Sequence, residues 1–526
     1  MPDSGFADAR HAGVLVPLFS IPSRRSWGIG EIPDLTAFAS WLDSAGFDFV
    51  QLLPVNEMAD GQNSPYSAMS AMAIDPIYIA LSDVEEFAAA GGEQSLDDAD
   101  RARLDEARAS AMVAYQLIRE IKSNALSAAF ARFERTDWQT KSSRASEFRE
   151  FMDRERWWLD DYALFRALHE EHRGRYWLEW DKAIRVREPS ALEHARARLA
   201  RDVTYRSWLQ WIAHRQWQRV RHDTPGIRIF GDFPFAVSGD SADVWARQQE
   251  FRLDASVGTP PDDFSATGQD WGLPVYRWNV IEESGYEWLK QRAKRCTELF
   301  DGFRVDHLIG FYRTYFREPD KQAAFSPPDE PSQIAQGERI LRALASFGIQ
   351  IVAEDLGTVP DFVRESLSRL HVPGYKVLRW EREWDTSGKP FRDPSSYPAL
   401  SLATTGTHDT ETLAGWWDEA DAEERREAVA WAALRAAGCD ATAAFDDRLR
   451  DGLLQTLFAS RSNLVVVPVQ DIFGWRDRIN TPAVVDDVNW RWRMPWPVDA
   501  LDDEEVPRER VGFLKSLSAS SGRYLR

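Results

Sequence analysis

The chain has 526 residues, 44% of them hydrophobic, a formal net charge of -20 and two cysteines, Cys296 and Cys439. That length suits one enlarged barrel or roughly three or four average domains; no apolar run approaches the roughly 20 residues that span a bilayer, and the negative charge repels phosphate backbones and anionic lipid, which excludes nucleic acid and membrane surfaces as partners. Residues 1–11 lack the basic-then-apolar order of a secretory signal and two distant cysteines make no disulfide framework, so a cytoplasmic protein with a neutral ligand is expected.

Short apolar runs that end in polar or charged residues read as buried parallel strands. In chain order they are residues 13–21, 47–55, 227–233, 302–308, 349–356, 375–380, 400–408 and 463–472. Helical patterns lie between most of them, such as 34–45 after the first and 332–347 before the fifth. Strands and helices alternating in this number predict an α/β fold, a (β/α)₈ TIM barrel. The second and third runs stand too far apart for one crossover helix, so the chain divides into a first part of the barrel, 1–55, a large insertion, 56–225, and the remainder of the barrel, 226–526. Within the insertion, 147–172 and 190–223 place apolar residues three or four apart and predict long amphipathic helices, hence a helical subdomain. A smaller insertion, 238–298, carries a Gly- and Pro-rich stretch, 258–274, that is expected as an ordered loop over a site. Twenty-three tryptophans suit a sugar ligand, although Trp157, Trp158, Trp208, Trp211 and Trp217 fall at helical spacings and read as core.

Three of the strand ends finish in acids: Arg304-Val305-Asp306-His307, Ala353-Glu354-Asp355 and Thr407-His408-Asp409. On a barrel these ends converge on one mouth, where such enzymes place catalytic groups. Retaining glycoside chemistry needs a carboxylate nucleophile and a protonated carboxyl about 5–5.5 Å apart, which adjacent strand ends could supply. Asp306 lies two residues from Arg304 and shares its face of the strand, and a guanidinium there favours the ionised, attacking form. Glu354 has the longer reach and no cation beside it in sequence, which suits a general acid of raised pKa. Asp409 is left as a third acid to steady substrate hydroxyls and developing positive charge. Any one of these acids alone reads as a helix cap; three together, two beside histidines, read as chemistry. His307 and His408 lack close metal-ligand spacing, so they are assigned to sugar hydroxyls and no metal or other cofactor is expected. The sequence holds no Gly-rich phosphate loop of the common types, and Lys376 sits inside a strand run.

These segments resemble the 4-α-glucanotransferases (amylomaltases, disproportionating enzymes) of glycoside hydrolase family 77. The likeness covers most of the chain and is strongest in Gly302-Phe303-Arg304-Val305-Asp306-His307, Ala353-Glu354-Asp355-Leu356-Gly357, Thr405-Gly406-Thr407-His408-Asp409, Gly258-Thr259-Pro260-Pro261-Asp262, Phe264-Ser265-Ala266-Thr267-Gly268-Gln269 and Trp271-Gly272. It implies a barrel with helical insertions, retention of the α configuration, Asp306 as nucleophile, Glu354 as acid/base and Asp409 as transition-state stabiliser. It also implies that Arg304, His307, His408, Tyr66, Asp232, Asp262, Gln269, Trp271 and Asn480 line the sugar sites. Ser64-Pro65-Tyr66 and Asn480-Thr481-Pro482 are the local matches, and they bring Ser64 with them. The sequence departs from the family pattern at Asp263, where an aromatic is usual, at Leu273, usually asparagine, and at Thr410-Glu411, usually Asn-Asp. The Gly-rich segment usual between the fourth and fifth strands is replaced by Phe325-Ser326-Pro327-Pro328-Asp329-Glu330-Pro331. The expected activity is transfer of α-1,4-glucan segments between maltooligosaccharides. Two alternatives are an α-glucan hydrolase with the same intermediate and a non-catalytic glucan-binding barrel.

Overall fold

The computed structural model describes residues 5–524 except 60, 262–267, 320–321, 483 and 485–486. Its strands, in chain order, are β1 His11–Leu15, β2 Phe49–Gln51, β3 Arg228–Phe233, β4 Phe251–Thr259, β5 Gln269–Tyr276, β6 Gly302–Val305, β7 Thr314–Arg317, β8 Ala324–Ser326, β9 Gln350–Ala353, β10 Gly374–Val377, β11 Ser401–Thr404 and β12 Leu464–Pro468. Eight of them close into a barrel in the order β1-β12-β11-β10-β9-β6-β3-β2, with each neighbouring pair parallel. Each of the eight overlaps one of the apolar runs read from sequence. The runs overshoot the strands: 13–21 passes into a 3₁₀ turn at Leu18–Ser20 and 463–472 into the helix Val469–Phe473. Continuous burial causes this, because an apolar run does not distinguish a buried strand from the buried helix that follows it.

Helices cover the outside of the barrel and side chains fill the inside, so the strands are buried on both faces, as in Leu464–Pro468. Large and small residues face each other across neighbouring strands. Gly13 pairs with Phe49 and Phe230 with Gly302, and a Cβ added at Gly13 or Gly302 would lie 2.5 or 2.4 Å from the partner's ring. Only glycine lets those rings lie across the neighbouring backbone. Gly302→Ala should therefore destabilise the barrel by about 1–3 kcal/mol through overpacking, read as a lower denaturant midpoint with an unchanged slope.

Between β2 and β3 the chain builds helices, among them Tyr115–Phe133, Ser143–Glu171, Pro189–Arg198 and Ala200–Asp223. Their shared core is aromatic: Phe130, Phe133, Phe148, Trp208 and Trp211 pack against one another, mostly tilted or edge-on, with ring centroids 5.3 to 6.4 Å apart. Trp158, Trp208, Trp211 and Trp217 are buried and Trp157 is partly so. Their helical spacing accordingly reflects packing. Among the described residues, no helix is long and apolar enough to cross a membrane.

The stretch 258–274 differs from the expected loop. Its two ends belong to β4 and β5, which form an antiparallel pair within a second sheet of order β5-β4-β7-β8. Register shifts between Arg252 and Ser256 and between Val257 and Gly258 break the alternation that would have marked β4 as a strand. The sheet also takes in β7 and β8, beyond the 238–298 segment that sequence sets apart.

Candidate active site

Strand register assembles the centre of the site. Asp232 stands opposite Arg304 across β3 and β6, and Val305 stands opposite Ala353 across β6 and β9. The next residues, Asp306 and Glu354, thus leave adjacent strand ends side by side. The ladder continues one step further, with Asp306 N–H donating to Phe233 O at 3.1 Å and Glu354 N–H to Val305 O at 3.0 Å.

Arg304 is the hub, its side chain 4% exposed. Its Nη1 donates to Asp232 Oδ2 at 2.6 Å, while Nη2 lies 2.9 Å from Asp306 Oδ1 and 3.7 Å from Glu354 Oε2. Two carboxyls therefore meet at one nitrogen. Burial pushes the Glu354 carboxyl up to about 8; Arg304 opposes the rise and Asp306 adds to it. Burial likewise lifts Asp232 to about 7 against the pull of Arg304.

His307 follows Asp306 with φ +44°, an uncommon conformation for a residue with a Cβ. In that conformation its N–H donates to Glu354 Oε2 at 2.7 Å. Its ring packs edge-on to Trp271 at 4.8 Å and to Phe235 at 5.7 Å, and burial pushes the imidazole down to about 4. Trp271 Nε1 donates to Gln269 Oε1 at 3.1 Å, so the β5 end of the second sheet reaches the central acids through His307. Asp262 and Asp263 lie outside the described residues.

On the other side, the Tyr66 hydroxyl donates to Asp232 Oδ2 at 2.8 Å and lies 3.1 Å from His408 Nε2. The Tyr66 ring stacks on that of His408 at 5.4 Å. Ser64 Oγ accepts the Tyr66 N–H at 3.4 Å, which makes it a support for the turn presenting Tyr66. His408 is 3% exposed, and burial lowers its pKa. Asp409 is held at both oxygens, Oδ1 accepting from Asn480 Nδ2 at 2.6 Å and Oδ2 lying 3.3 Å from His408 Nε2. The structure thus gathers Arg304, Asp306, His307, Glu354, Asp232, Tyr66, His408, Asp409 and Asn480 around one mouth, with Trp271 and Gln269 behind His307.

Asp355 does not join them, because its Oδ1 turns back to accept the Tyr375 N–H at 2.6 Å. Of the departures, Leu273 stands in β5 opposite Val257. Thr410 closes a turn, its Oγ1 accepting the Thr407 N–H at 3.0 Å, and Glu411 pairs with Arg379 and Arg478 at 3.0 Å each. Sequence reasoning missed Arg379, Arg478 and Trp490, whose ring lies 5.7 Å from both Tyr66 and His408. Arg478 and Trp490 sit in irregular segments, where periodicity gives no signal.

Carboxyls gathered around one guanidinium at the C-terminal mouth of a parallel barrel stand where barrel enzymes place their catalytic groups. The family model described as 4-alpha-glucanotransferase matches residues 16–499. The chain is 35% identical to a 4-alpha-glucanotransferase of Synechocystis, over 94% of this chain and 95% of that one, and 34% identical to that of Thermus thermophilus, over 92% and 95%. The structure superposes on the amylomaltase of Streptococcus agalactiae in complex with acarbose with a TM-score of 0.83 at 28% identity, covering 98% of this chain and 100% of that one. The chain belongs to the 4-α-glucanotransferase family, glycoside hydrolase family 77, and is a transferase.

Proposed function

We propose that the chain moves α-1,4-glucan segments between maltooligosaccharides with retention of configuration, through a glycosyl unit held covalently on Asp306. The observation that carries this reading is the single Arg304 nitrogen shared by Asp306 and Glu354, with Glu354 raised to about 8. Those contacts are compatible with the roughly 5–5.5 Å of a retaining pair. Glu354 Oε2 already accepts the His307 N–H, which leaves Oε1 to carry the proton. In the first step Asp306 attacks the anomeric carbon, the bond to the leaving oxygen breaks, and Glu354 gives that oxygen its proton. In the second, the 4-hydroxyl of another glucan gives its proton to the Glu354 carboxylate and attacks the same carbon, which frees Asp306. Asp409, fixed by Asn480 and His408, faces the ring as it gains positive charge. Arg304, Tyr66, Asp232, His307, His408, Asp262, Gln269, Trp271 and Asn480 make up the sugar contacts, with Ser64 supporting Tyr66. A cytoplasmic setting suits the free thiols Cys296 and Cys439.

A hydrolase would use the same intermediate and differ only in letting water take it. The names of the relatives favour transfer. Maltotriose alone separates the two: glucose and chains longer than the substrate are expected. A product mixture containing only shorter sugars, at every substrate concentration, would return the reading to a hydrolase.

A further inference from the structure

The loops that follow β10, β11 and β12 are tied together by a charged strap beneath Asp409. Arg478 Nη2 donates to the main-chain oxygen of Asp409 at 2.9 Å, and its Nε donates to the main-chain oxygen of Asn480 at 3.3 Å. One guanidinium therefore holds the backbones of the two residues whose side chains meet at 2.6 Å. Its remaining nitrogen, Nη1, donates to Glu411 Oε1 at 3.0 Å. The other Glu411 oxygen accepts from Arg379 Nη2 at 3.0 Å, and the same nitrogen donates to the Glu411 main-chain oxygen at 2.9 Å. The Arg379 side chain is 4% exposed, whereas those of Arg478 and Glu411 are 26% and 35% exposed. A buried anchor thus aims a half-exposed fork.

We propose that Glu411 and Arg478 are positioning residues that fix the Asp409 carboxylate toward the sugar, with Arg379 as their anchor. The inference rests on the reading of Asp409 as a group that acts on the substrate. Neither residue needs to touch sugar. The guanidinium reaches the two carbonyls and the carboxylate from three separate nitrogens held in one plane; a lysine ammonium carries its three donors on one nitrogen and does not span them, so lysine is not an equivalent at 478. The Arg478–Glu411 pair is partly exposed and contributes little to folding, whereas Glu411→Ala also takes the carboxylate from the buried Arg379, so the melting temperature is measured beside the rates.

The test is a cycle of Glu411→Ala and Asp409→Asn, single and combined, read as kcat and KM on maltotriose. Glu411→Ala should lower kcat roughly tenfold, within the range by which hydrogen-bonded neighbours couple, and leave KM within about twofold. In the Asp409→Asn background the same change should cost less than about twofold, because its route of action is already gone. Glu411→Gln, which keeps one acceptor oxygen but turns an NH2 group toward the other guanidinium and loses the charge, should fall between. An undiminished loss in both backgrounds, or no loss in the parent, overturns the proposal. Should Glu411→Ala fold poorly, Arg478→Lys replaces it in the same cycle with the same expectations. If Asp409→Asn alone turns over like the parent, the reading of Asp409 fails first and the proposal with it.

Discussion

Asp306→Ala should lower kcat on maltotriose by roughly 10⁴-fold or more, the scale on which loss of a covalent nucleophile is felt. The fold should survive the change. Asp306 sits past the last paired residue of β6 with its side chain 25% exposed, and Arg304 keeps its 2.6 Å partner Asp232 when Asp306 is gone. No buried charge is left alone, so the stability cost should stay near 1 kcal/mol rather than the 3–5 kcal/mol of a broken buried pair. Denaturant midpoints of parent and variant, measured beside the rates, separate the two effects. A variant that keeps a near-normal rate removes Asp306 from the role of nucleophile. One that loses rate and stability together shows that the pair with Arg304 is mainly structural.

The barrel was legible because its strands are buried on both faces and so appear as unbroken apolar runs. Its central acids were legible for a related reason. A parallel strand ends where the chain turns polar, and Arg304-Val305-Asp306 and Ala353-Glu354 mark those ends directly. Period-two alternation also put Arg304 and Asp306 on one face, which the 2.9 Å contact reproduces. Glu354 has no cation beside it in sequence, but Arg304 approaches it from the neighbouring strand at 3.7 Å. Burial still outweighs that approach in setting its acidity.

What sequence did not show depends on contacts between distant segments. The second sheet pairs β4 with β7 across intervening barrel elements, and its bulged strand lacks the alternation that would announce it. Asp232 and Tyr66 came only with the family resemblance, because one lies within a strand and the other in a turn; nothing local says that they meet at 2.8 Å. Arg478 and Arg379 are two arginines among many until the folded loops bring both to Glu411. The resemblance identifies residues that touch substrate, whereas the strap beneath Asp409 emerges only from the geometry.

Glu354→Gln should split the reaction into its two halves. With maltotriose the leaving oxygen needs a proton that the amide does not supply, so turnover should fall by about 10²–10⁴-fold, the usual contribution of a general acid. With α-glucosyl fluoride the leaving group needs little protonation, so attack by Asp306 should persist. The second half needs Glu354 again, now as the base that takes the proton of the acceptor hydroxyl, and that step should stall. Mass spectrometry of the digested variant should then find a glucosyl adduct on the peptide that carries Asp306. An adduct on another peptide overturns the assignment. The pH profile of the parent gives an independent check. Glu354 acts in its protonated form and is raised to about 8, so kcat/KM on maltotriose, which reports the free enzyme, should fall about tenfold per unit as pH rises beyond that value. The residual turnover of the variant should lack that basic limb, because glutamine does not ionise. Stability should follow the same sign: a folded-state pKa above the unfolded one contributes stability that is fully present below the ordinary glutamate range and lost as pH climbs to about 8. Glutamine, neutral throughout, should flatten that decline. A basic limb and a stability decline that both persist unchanged in Glu354→Gln would place the titrating group elsewhere, with Asp232, raised to about 7 against the same arginine, as the residue to replace next.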